Sequence, residues 1–337
     1  MDTPGLNPFT DFCYLFLSIV LEGAPFIFFG TLISGFIDAY LPPGLIDRWL
    51  PKRKSLAVIM SALLGAIFPV CECAIVPVIR RLIRKGLPVS CAITYMLSAP
   101  IINPIVVIST YNAFNSEQGK FLIRQVKDAE PDGPLFVTMS RLIIAFIVTV
   151  GMGMLVLKMR RDTILRPEIL AGSGSGGHAE ADDHAHSHGH EDHDHGKTAD
   201  ASPPHSQRLV HAMRTAMRDF IDTGMYFSIG VAITALFKAY VTDDLVVLFN
   251  QSEYIGVNLM MILAFVLSLC STSDAFIAAN FPVPLSAKLA FLVFGPMMDV
   301  KLVFMYLSVF KRRFVTGMAV GLFFVIGALC YFWMHVA

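Results

Sequence analysis

Long apolar stretches, separated by short polar segments, make up most of the chain. Eight of them contain about the 20 apolar residues that a helix needs to cross a bilayer. These stretches cover residues 12–41, 55–79, 87–111, 135–157, 219–241, 254–280, 285–310 and 314–336. The pattern predicts an all-α polytopic membrane protein with about eight hydrophobic helical segments.

A polar segment over 158–218 separates the first four apolar stretches from the last four. It contains a Gly/Ser run at 172–177, followed by alternating histidine and acidic residues. Because such a composition cannot bury a hydrophobic core, we predict a disordered loop. The predicted domains are a first membrane repeat (1–157), a histidine-rich loop (158–218) and a second membrane repeat (219–337).

The two membrane halves resemble each other at an offset of about 200 residues. Residues 21–46 align without gaps on residues 221–246. Polar and helix-breaking positions also match, pairing Glu22 with Asp222, Pro100 with Pro296, and Asn103 with Asp299. Because internal duplication is common in secondary transporters, the sequence predicts two structural repeats.

The positions of Lys and Arg predict the orientation of these repeats. Eight simple crossings would place the basic clusters at 48–54 and 80–85 on opposite sides of the membrane, against the positive-inside rule. If 55–85 and 254–282 instead form re-entrant or broken hairpins, 19 of the 26 basic residues become cytoplasmic. Each half then has three crossings, so the repeats are inverted. Eight simple crossings are the alternative.

The composition agrees with a membrane protein of neutral net charge. Hydrophobic residues make up 55% of the 337 positions and charged residues only 15%, whereas soluble domains carry about 25% charged residues. The acidic and basic residues number 26 each, so no global attraction to nucleic acid is predicted. The first basic residue is Arg48, so no cleavable signal peptide is predicted.

The first predicted hairpin turns at two thiols and a carboxylate. Pro69 and Pro77 flank this turn, and proline disfavours an unbroken helix. Because thiolates bind Cu(I), Zn and other thiophilic ions, Cys71 and Cys73 are candidate metal ligands, with Glu72 compensating charge. Two ligands do not complete a tetrahedral zinc site, so further donors must come from elsewhere. Small buried cysteines without a functional role are the alternative.

The second predicted hairpin carries hydroxyl groups and an acid at its tip in place of the cysteine pair. The candidate ion-pathway residues are Cys270, Ser271, Ser273 and Asp274. An ionisable residue inside the membrane is a functional candidate by default. The alternative is a structural pair between Asp274 and a lysine such as Lys301.

Two aligned Pro-x-x-Asn and Pro-x-x-Asp motifs are predicted to break the next helix of each half. Proline frees a carbonyl group, and the polar side chain that follows can satisfy backbone groups or bind an ion. The predicted pathway therefore also includes Pro100, Asn103, Pro296 and Asp299. It further includes Glu22 and Asp222, either as proton carriers or as groups that hydrogen-bond across the bundle.

Seven histidines and six acidic residues fall within residues 178–195. Flexible His-x-His patterns bind Zn(II), Cu(II) or Ni(II) with little geometric selectivity. The predicted loop ligands are His178, His184, His186, His188, His190, His193 and His195. We expect this segment to collect or sense metal in the cytosol; a solvated linker is the alternative.

Four motifs in order resemble a bacterial predicted-permease family that includes the organoarsenical efflux permease ArsP. They are Pro69-Val-Cys71-Glu-Cys73, Leu97-Ser-Ala-Pro100-Ile-Ile-Asn103-Pro104, Cys270-Ser-Thr-Ser-Asp274-Ala275-Phe276 and Phe294-Gly-Pro296-Met-Met-Asp299. The histidine loop is similar to that of the branch named as copper/zinc efflux transporters. The resemblance implies a multi-pass exporter of soft or borderline metals in the bacterial inner membrane. The wider family has a small residue between the two cysteines, and Glu72 in that place favours a cation.

These features together predict metal-cation efflux by alternating access. No nucleotide-binding motif is present in the sequence, so we expect an ion gradient to supply the energy, with Asp274 and Asp299 exchanging protons. Zn or Cu would be a substrate or a loop-bound ion, with no tightly bound cofactor. The predicted partners are the metal ion and the lipid bilayer, and an oligomer is left open. The alternatives are arsenite or organoarsenical efflux, and a membrane thiol oxidoreductase or sulfur-transfer protein that uses Cys71 and Cys73.

Overall fold

The computed structural model is almost entirely helical. It describes residues 8–42, 50–67, 70–116, 133–167, 169, 205–240, 253–281 and 283–336. The first half comprises α1 (Pro8–Tyr40), α2 (Lys54–Ile67), α3 (Glu72–Arg84), α4 (Val89–Ser98), α5 (Pro104–Asn115) and α6 (Gly133–Leu157). After the one-turn helix α7 (Arg161–Ile164), the second half comprises α8 (His205–Tyr240), α9 (Glu253–Leu267), α10 (Asp274–Asn280), α11 (Leu285–Met297), α12 (Val300–Leu307) and α13 (Arg312–Val336).

Five segments of the described chain are long and apolar enough to cross a membrane. They are Phe9–Tyr40, Gly133–Leu157, Gln207–Phe237, Leu285–Leu307 and Arg312–Trp333. Large apolar side chains such as Phe29 and Phe324 are more than half exposed on these helices, and lipid tails accommodate such side chains because they are equally apolar. The predicted all-α polytopic membrane fold is confirmed.

The first half contains the predicted hairpin in place of a simple crossing. Helix α2 has 14 residues; at 1.5 Å per residue it is about 21 Å long, too short for a hydrocarbon core of about 30 Å. Lys52 and Lys54, where α2 begins, line one cavity together with Ser90 at the start of α4 and Arg161. Because α2 and α4 start at the same end of the molecule, α3 must return the chain to that end.

The second half repeats this order of short helix, break and returning helix. Helix α9 ends at Leu267 and α10 begins at Asp274, with the break between them. In the first half α2 packs on α4 and α4 on α6, and in the second half α9 packs on α11 and α11 on α13. The predicted duplication therefore extends to the packing of equivalent helices.

Helices α1 and α8, which occupy the same place in the two halves, pack against each other in opposite directions. Gly23 near the middle of α1 lies against the ring of Phe227, whereas Gly35 near its end lies against the carbonyl of Ala212. The residue number on α8 thus falls as the number on α1 rises. Antiparallel packing of equivalent helices is the arrangement that the predicted inverted repeats require.

Helices α4 and α11 form the centre of the bundle. Every residue of Val89–Ser98 is buried, and most of α11 is buried as well. Each of the two helices is followed by a predicted break. Helix α4 ends before Asn103, which caps α5, and α11 ends before Asp299, which caps α12. Both Pro-x-x motifs therefore interrupt the chain where the sequence predicts.

Pro77 differs from the expectation, because it lies inside α3 rather than at the edge of the break. The Ser34 hydroxyl of α1 donates a hydrogen bond to the Pro77 carbonyl at 3.2 Å. Proline has no N–H, so it cannot pair with the carbonyl four residues earlier, that of Cys73. The helix accommodates Pro77 and leaves a main-chain oxygen without its helical donor close to the break.

Helix α8 begins at His205, well before the predicted boundary at residue 219. Hydropathy detects only the apolar part of a helix, whereas Arg, Gln, Met and Ala in residues 205–218 extend it because they are good helix formers. These residues, assigned to the loop from sequence, are therefore helical. The histidine cluster at 178–195 lies outside the described residues, so its assignments stay predictions.

Candidate functional site

A small cavity lies where the two broken hairpins meet. Its volume is about 60 Å³, enough for a single ion or a few waters. Five parts of the fold line it: α1, the first break, α8, the second break and the start of α12. The lining includes Glu22, Cys71, Glu72, Cys73, Ser268, Leu269, Cys270, Ser273 and Lys301.

The first break places two thiols and a carboxylate at the start of a helix. Cys71 is the extended residue before α3, and its carbonyl accepts the N–H groups of Ala74 and Ile75. Glu72 and Cys73 form the first turn of α3, and both are buried. A carboxylate in this position is stabilised by the positive end of the helix dipole. The pair of cysteines therefore flanks a buried acid, as predicted.

The second break brings a third thiol to the same cavity. Helix α9 ends at Leu267, and the next residue, Ser268, has a left-handed backbone (φ 47°). The carbonyl of Cys270 then accepts the N–H groups of Ser273 and Asp274 as the chain turns into α10. Cys270 is predicted from sequence to line the ion pathway but is not among the predicted metal ligands. The structure places it with Cys71 and Cys73.

Glu72 takes its counter-charge from the second half of the molecule. The ammonium of Lys301 on α12 lies 3.5 Å from one oxygen of Glu72, and the hydroxyl of Ser271 donates to the other at 3.2 Å. Lys301 also lies 3.6 Å from Asp299 and donates to the carbonyl of Ser268 at 3.0 Å. The first break is thus held by groups from the second half.

Asp274 takes its counter-charge from the first half. The guanidinium of Arg141 on α6 lies 2.8 Å from its carboxylate, and Arg141 also donates to the hydroxyl of Thr110 at 2.7 Å. Arg141 is almost fully buried. Lys301, named from sequence as the alternative partner of Asp274, pairs with Glu72 and Asp299 instead.

Arg141 is not among the residues predicted for the site, although the sequence contains a signal for it. It is the sole charged residue in the apolar stretch 135–157, and an ionisable residue inside a membrane segment marks a functional site by default. The distribution of Lys and Arg predicts the topology of the chain and gives no role to a single buried arginine.

Asn103 and Asp299 both cap the helices that follow their breaks. The side chain of Asn103 accepts the N–H of Ile105 at 3.0 Å, and one oxygen of Asp299 accepts the N–H of Leu302 at 2.7 Å. Pro100 and Pro296 are buried beside these breaks. Only Asp299 also approaches the cavity, through its contact with Lys301.

Glu22 and Asp222, aligned by the repeat, lie in different places. Glu22 stands at the exposed mouth of the cavity. Asp222 is partly exposed and lies 3.5 Å from Arg80 on α3, away from the thiols. Because α1 and α8 are antiparallel, residues that are aligned by the repeat do not lie beside each other along the two helices. Asp222 therefore does not line the cavity between the breaks, and its place in the ion pathway stays a prediction.

A buried ion pair outside the predicted site fixes the far end of α3. Arg81 donates two hydrogen bonds of 3.0 Å to Asp219 on α8, and the hydroxyl oxygen of Ser34 on α1 lies 3.0 Å from the same carboxylate. Asp38 lies 3.4 Å from the same guanidinium. These contacts clamp α3 between α1 and α8 and hold the first break in place.

The donors at the cavity are free but not assembled into a metal site. All six cysteines of the chain lie in the described ranges and are free thiols. Among the residues that the structure describes, no three His, Cys, Asp or Glu side chains are arranged to hold a metal ion. The arrangement offers three thiols and a carboxylate to a ligand, with Lys301 between the acids.

Comparison with known proteins gives a consistent picture. A family model described as a predicted permease, ArsP_1, matches residues 9–333. The UPF0718 protein YcgR of Bacillus subtilis (strain 168) is 37% identical over 303 residues, which cover 89% of each chain. A "Putative two-component membrane permease complex subunit" of Streptococcus mutans serotype c (strain ATCC 700610 / UA159) is 33% identical over 304 residues, covering 89% of this chain and 87% of that protein. No solved structure matches.

Proposed function

The chain belongs to the ArsP_1 family of predicted permeases, and on that premise we propose that it exports soft or borderline metal cations such as Zn(II) or Cu(I). Family membership favours a membrane transporter over an enzyme. The proposed export is directed out of the cytosol and is coupled to protons.

The main support for this proposal is that three thiol groups line the same cavity. Cys71 and Cys73 come from the first break and Cys270 from the second. Sulfur ligands select thiophilic ions over Na⁺, Mg²⁺ or Ca²⁺. Irregular backbone at membrane depth is found where it is buried in protein or lines a cavity. A site for a soft ion at this position accounts for both features.

The charged groups beside the cavity favour a cation over an anion. Two buried carboxylates, Glu72 and Asp299, face one buried cation, Lys301, whereas Asp274 pairs with Arg141. With these groups ionised, one negative charge is left over beside the cavity, and Glu22 adds another at its mouth. A bound cation would neutralise this excess.

Alternating access is supported by the way the halves hold each other's breaks. Ser109 of α5 donates to the carbonyl of Thr272 in the second break at 2.6 Å, just as Ser271 donates to Glu72 in the first. A rocking motion of one repeat against the other would therefore move both breaks together. Such a motion would bring the thiols into ligand distance and separate them again for release.

Proton exchange at Asp274 and Asp299 is the proposed coupling step. Each has one carboxylate oxygen that is buried and has no hydrogen-bond partner among the described residues. A protonated carboxyl group at either position would leave fewer unpaired acceptors in the interior.

The balance of basic residues supports insertion in the bacterial inner membrane with the 158–218 segment in the cytosol.

Transport into everted membrane vesicles tests the proposal. Zn(II), Cu(I) and arsenite are offered separately to vesicles with the wild type, with Cys71→Ser/Cys73→Ser/Cys270→Ser, or with the control Cys330→Ser. Cys330 is buried on α13 and does not line the cavity. We expect accumulation of Zn(II) or Cu(I) that the triple variant loses and the control keeps.

Two other results would replace the proposal. Accumulation of arsenite alone would favour the arsenical alternative, which also fits three thiols. A Cys71–Cys73 disulfide that forms and is reduced at each turnover, without metal accumulation, would favour a thiol oxidoreductase.

The Streptococcus mutans relative is named as a subunit of a two-component complex. We therefore include a second subunit, or a second copy of this chain, in the proposal. Light scattering of the full chain extracted in mild detergent would give the number of subunits.

A further inference from the structure

Lys301 is a buried lysine whose ammonium group lies among oxygen atoms. Only 4% of the residue is exposed. Its Nζ lies 3.0 Å from the carbonyl of Ser268 and 3.5 Å from that of Leu269. The carboxylates of Glu72 and Asp299 lie at 3.5 Å and 3.6 Å. Two main-chain and two carboxylate oxygens therefore surround one positive charge.

These oxygens are of the type that binds inorganic cations in transporters. Carbonyl groups that follow the end of a broken helix coordinate ions in several transporter folds. The carbonyls of Ser268 and Leu269 follow the end of α9, where the helix dipole is negative. The left-handed backbone of Ser268 ends the helix at this point. Within the described chain, the second oxygen of Asp299 has no hydrogen-bond donor.

We propose that the Lys301 ammonium is a tethered substitute for the transported cation, which occupies this oxygen site until a substrate ion displaces it. The inference rests on the proposed function and adds a determinant of specificity to it. An ion must replace the contacts that Glu72 and Asp299 make with Lys301. A thiophilic cation gains additional contacts with the cysteines, which compensate for displacing Lys301. Na⁺ can bind only to the oxygen atoms, so it does not displace the ammonium.

A purely structural lysine would have different consequences. In that case Lys301 would only neutralise two buried acids, and its removal would destabilise the protein without creating a binding site. The tethered cation instead predicts a gain of cation binding when the ammonium is removed. The two roles are therefore separated by the response of a variant to added ions.

The test uses the full chain in phosphatidylcholine nanodiscs. Equilibrium binding of radioactive Zn(II) and the thermal unfolding midpoint with and without NaCl are measured at constant ionic strength, set with choline chloride. The variants are Lys301→Met, the double variant Glu72→Gln/Lys301→Met, and the control Lys288→Met. Lys288 is a buried lysine on α11 whose ammonium donates to the carbonyl of Ala279 at 3.2 Å, outside the cavity.

We expect Lys301→Met to bind Zn(II) at least tenfold more tightly than the wild type and to be stabilised by Na⁺, since a ligand that binds only the folded state raises its stability. Lys288→Met should behave like the wild type, and the double variant should lose both gains. Unchanged Zn(II) affinity together with no response to Na⁺ in Lys301→Met would overturn the inference.

A second variant covers the case in which Lys301→Met does not fold. Lys301→Arg keeps the charge and holds carboxylates more firmly, because its planar group donates to two oxygens at once. The tethered-cation role predicts at least tenfold weaker Zn(II) binding in Lys301→Arg, and unchanged binding would contradict it.

The binding and transport measurements distinguish a failure of this inference from a failure of the proposed function. If the wild type binds no Zn(II) but Lys301→Met gains a Na⁺ response that Glu72→Gln removes, the tethered cation is supported and the metal substrate is wrong. If the wild type binds and exports Zn(II) while Lys301→Met gains nothing, the function stands and the tethered cation is wrong.

Discussion

Glu72 and Asp274 occupy the same place in the two halves, as the first residue of the helix that follows each hairpin break. Each is buried, and each pairs with a cation that belongs to the opposite half, Lys301 for Glu72 and Arg141 for Asp274. The two breaks are therefore held reciprocally. Any motion that separates the halves must break or exchange both pairs, which makes these four residues the first to test.

Replacing Arg141 with Met should destabilise the protein strongly. The change leaves the Asp274 carboxylate buried without its partner, and removing one member of a buried ion pair typically costs about 3–5 kcal/mol. Unfolding in mixed micelles with increasing SDS would measure the loss. The double variant Arg141→Met/Asp274→Asn removes both charges and should regain most of the stability. A single variant as stable as the wild type would show that the pair contributes little, and a double variant no more stable than the single one would show that the unpaired carboxylate is not the cause of the loss.

Each cavity cysteine should contribute separately to metal binding. Cys71→Ser, Cys73→Ser and Cys270→Ser should each weaken Zn(II) binding at least about tenfold, since even residues that only orient a metal ligand are worth roughly 10–100-fold in affinity. Isothermal titration of the full chain in detergent would measure this. Cys13→Ser, on the exposed face of α1, is the matched control. If Cys270→Ser binds like that control, the third thiol is not a ligand.

Much of the fold could be predicted from sequence because its signals are local. Apolar length, the side preference of Lys and Arg, and proline each act within a few residues, and together they predict the hairpins, the inverted repeats and the breaks before Asn103 and Asp299. Hydropathy failed at the start of α8, because a helix can continue beyond its apolar part with charged residues. It also gave no reason to place Pro77 inside α3.

The charge pairs of the site could not be predicted, because they depend on tertiary packing. Arg141 and Asp274 are far apart in the chain and meet only because α6 packs beside the second break. The same holds for Glu72 and Lys301, whose helices belong to different halves. The acids Glu72 and Asp274 can be recognised as candidates from the sequence. Which basic residue pairs with each acid depends on how the two repeats pack against each other.

Chemical labelling of single cysteines would test the orientation of the first hairpin in cells. In a cysteine-free background, Leu50→Cys and Arg84→Cys should react from the same side of the membrane, because α2 begins and α3 ends at the same end of the bundle. Asn115→Cys, at the far end of α5, should react from the opposite side. Labelling of positions 50 and 84 from opposite sides would restore eight simple crossings.

Deleting residues 178–195 should lower the apparent affinity for metal without abolishing transport. The seven histidines in this segment can gather ions, but the proposed transport site lies at the cavity between the breaks. Initial rates of Zn(II) uptake into everted vesicles over a range of concentrations would separate a raised KM from a lost maximal rate. A deletion variant that reaches the membrane at normal levels but transports nothing would contradict this assignment.

The contact between α1 and α8 should tolerate no added side chain at Gly35. A Cβ there would collide with the carbonyl of Ala212, a backbone atom that cannot move aside without shifting α8. Overpacking of this kind typically costs about 1–3 kcal/mol, so Gly35→Ala should lower the stability measured by SDS unfolding. Gly224→Ala, where no atom lies within 4 Å of the new carbon, should be neutral or slightly stabilising, since Ala favours helix over Gly by about 1 kcal/mol. If the two variants unfold alike, α1 and α8 do not pack as closely as described.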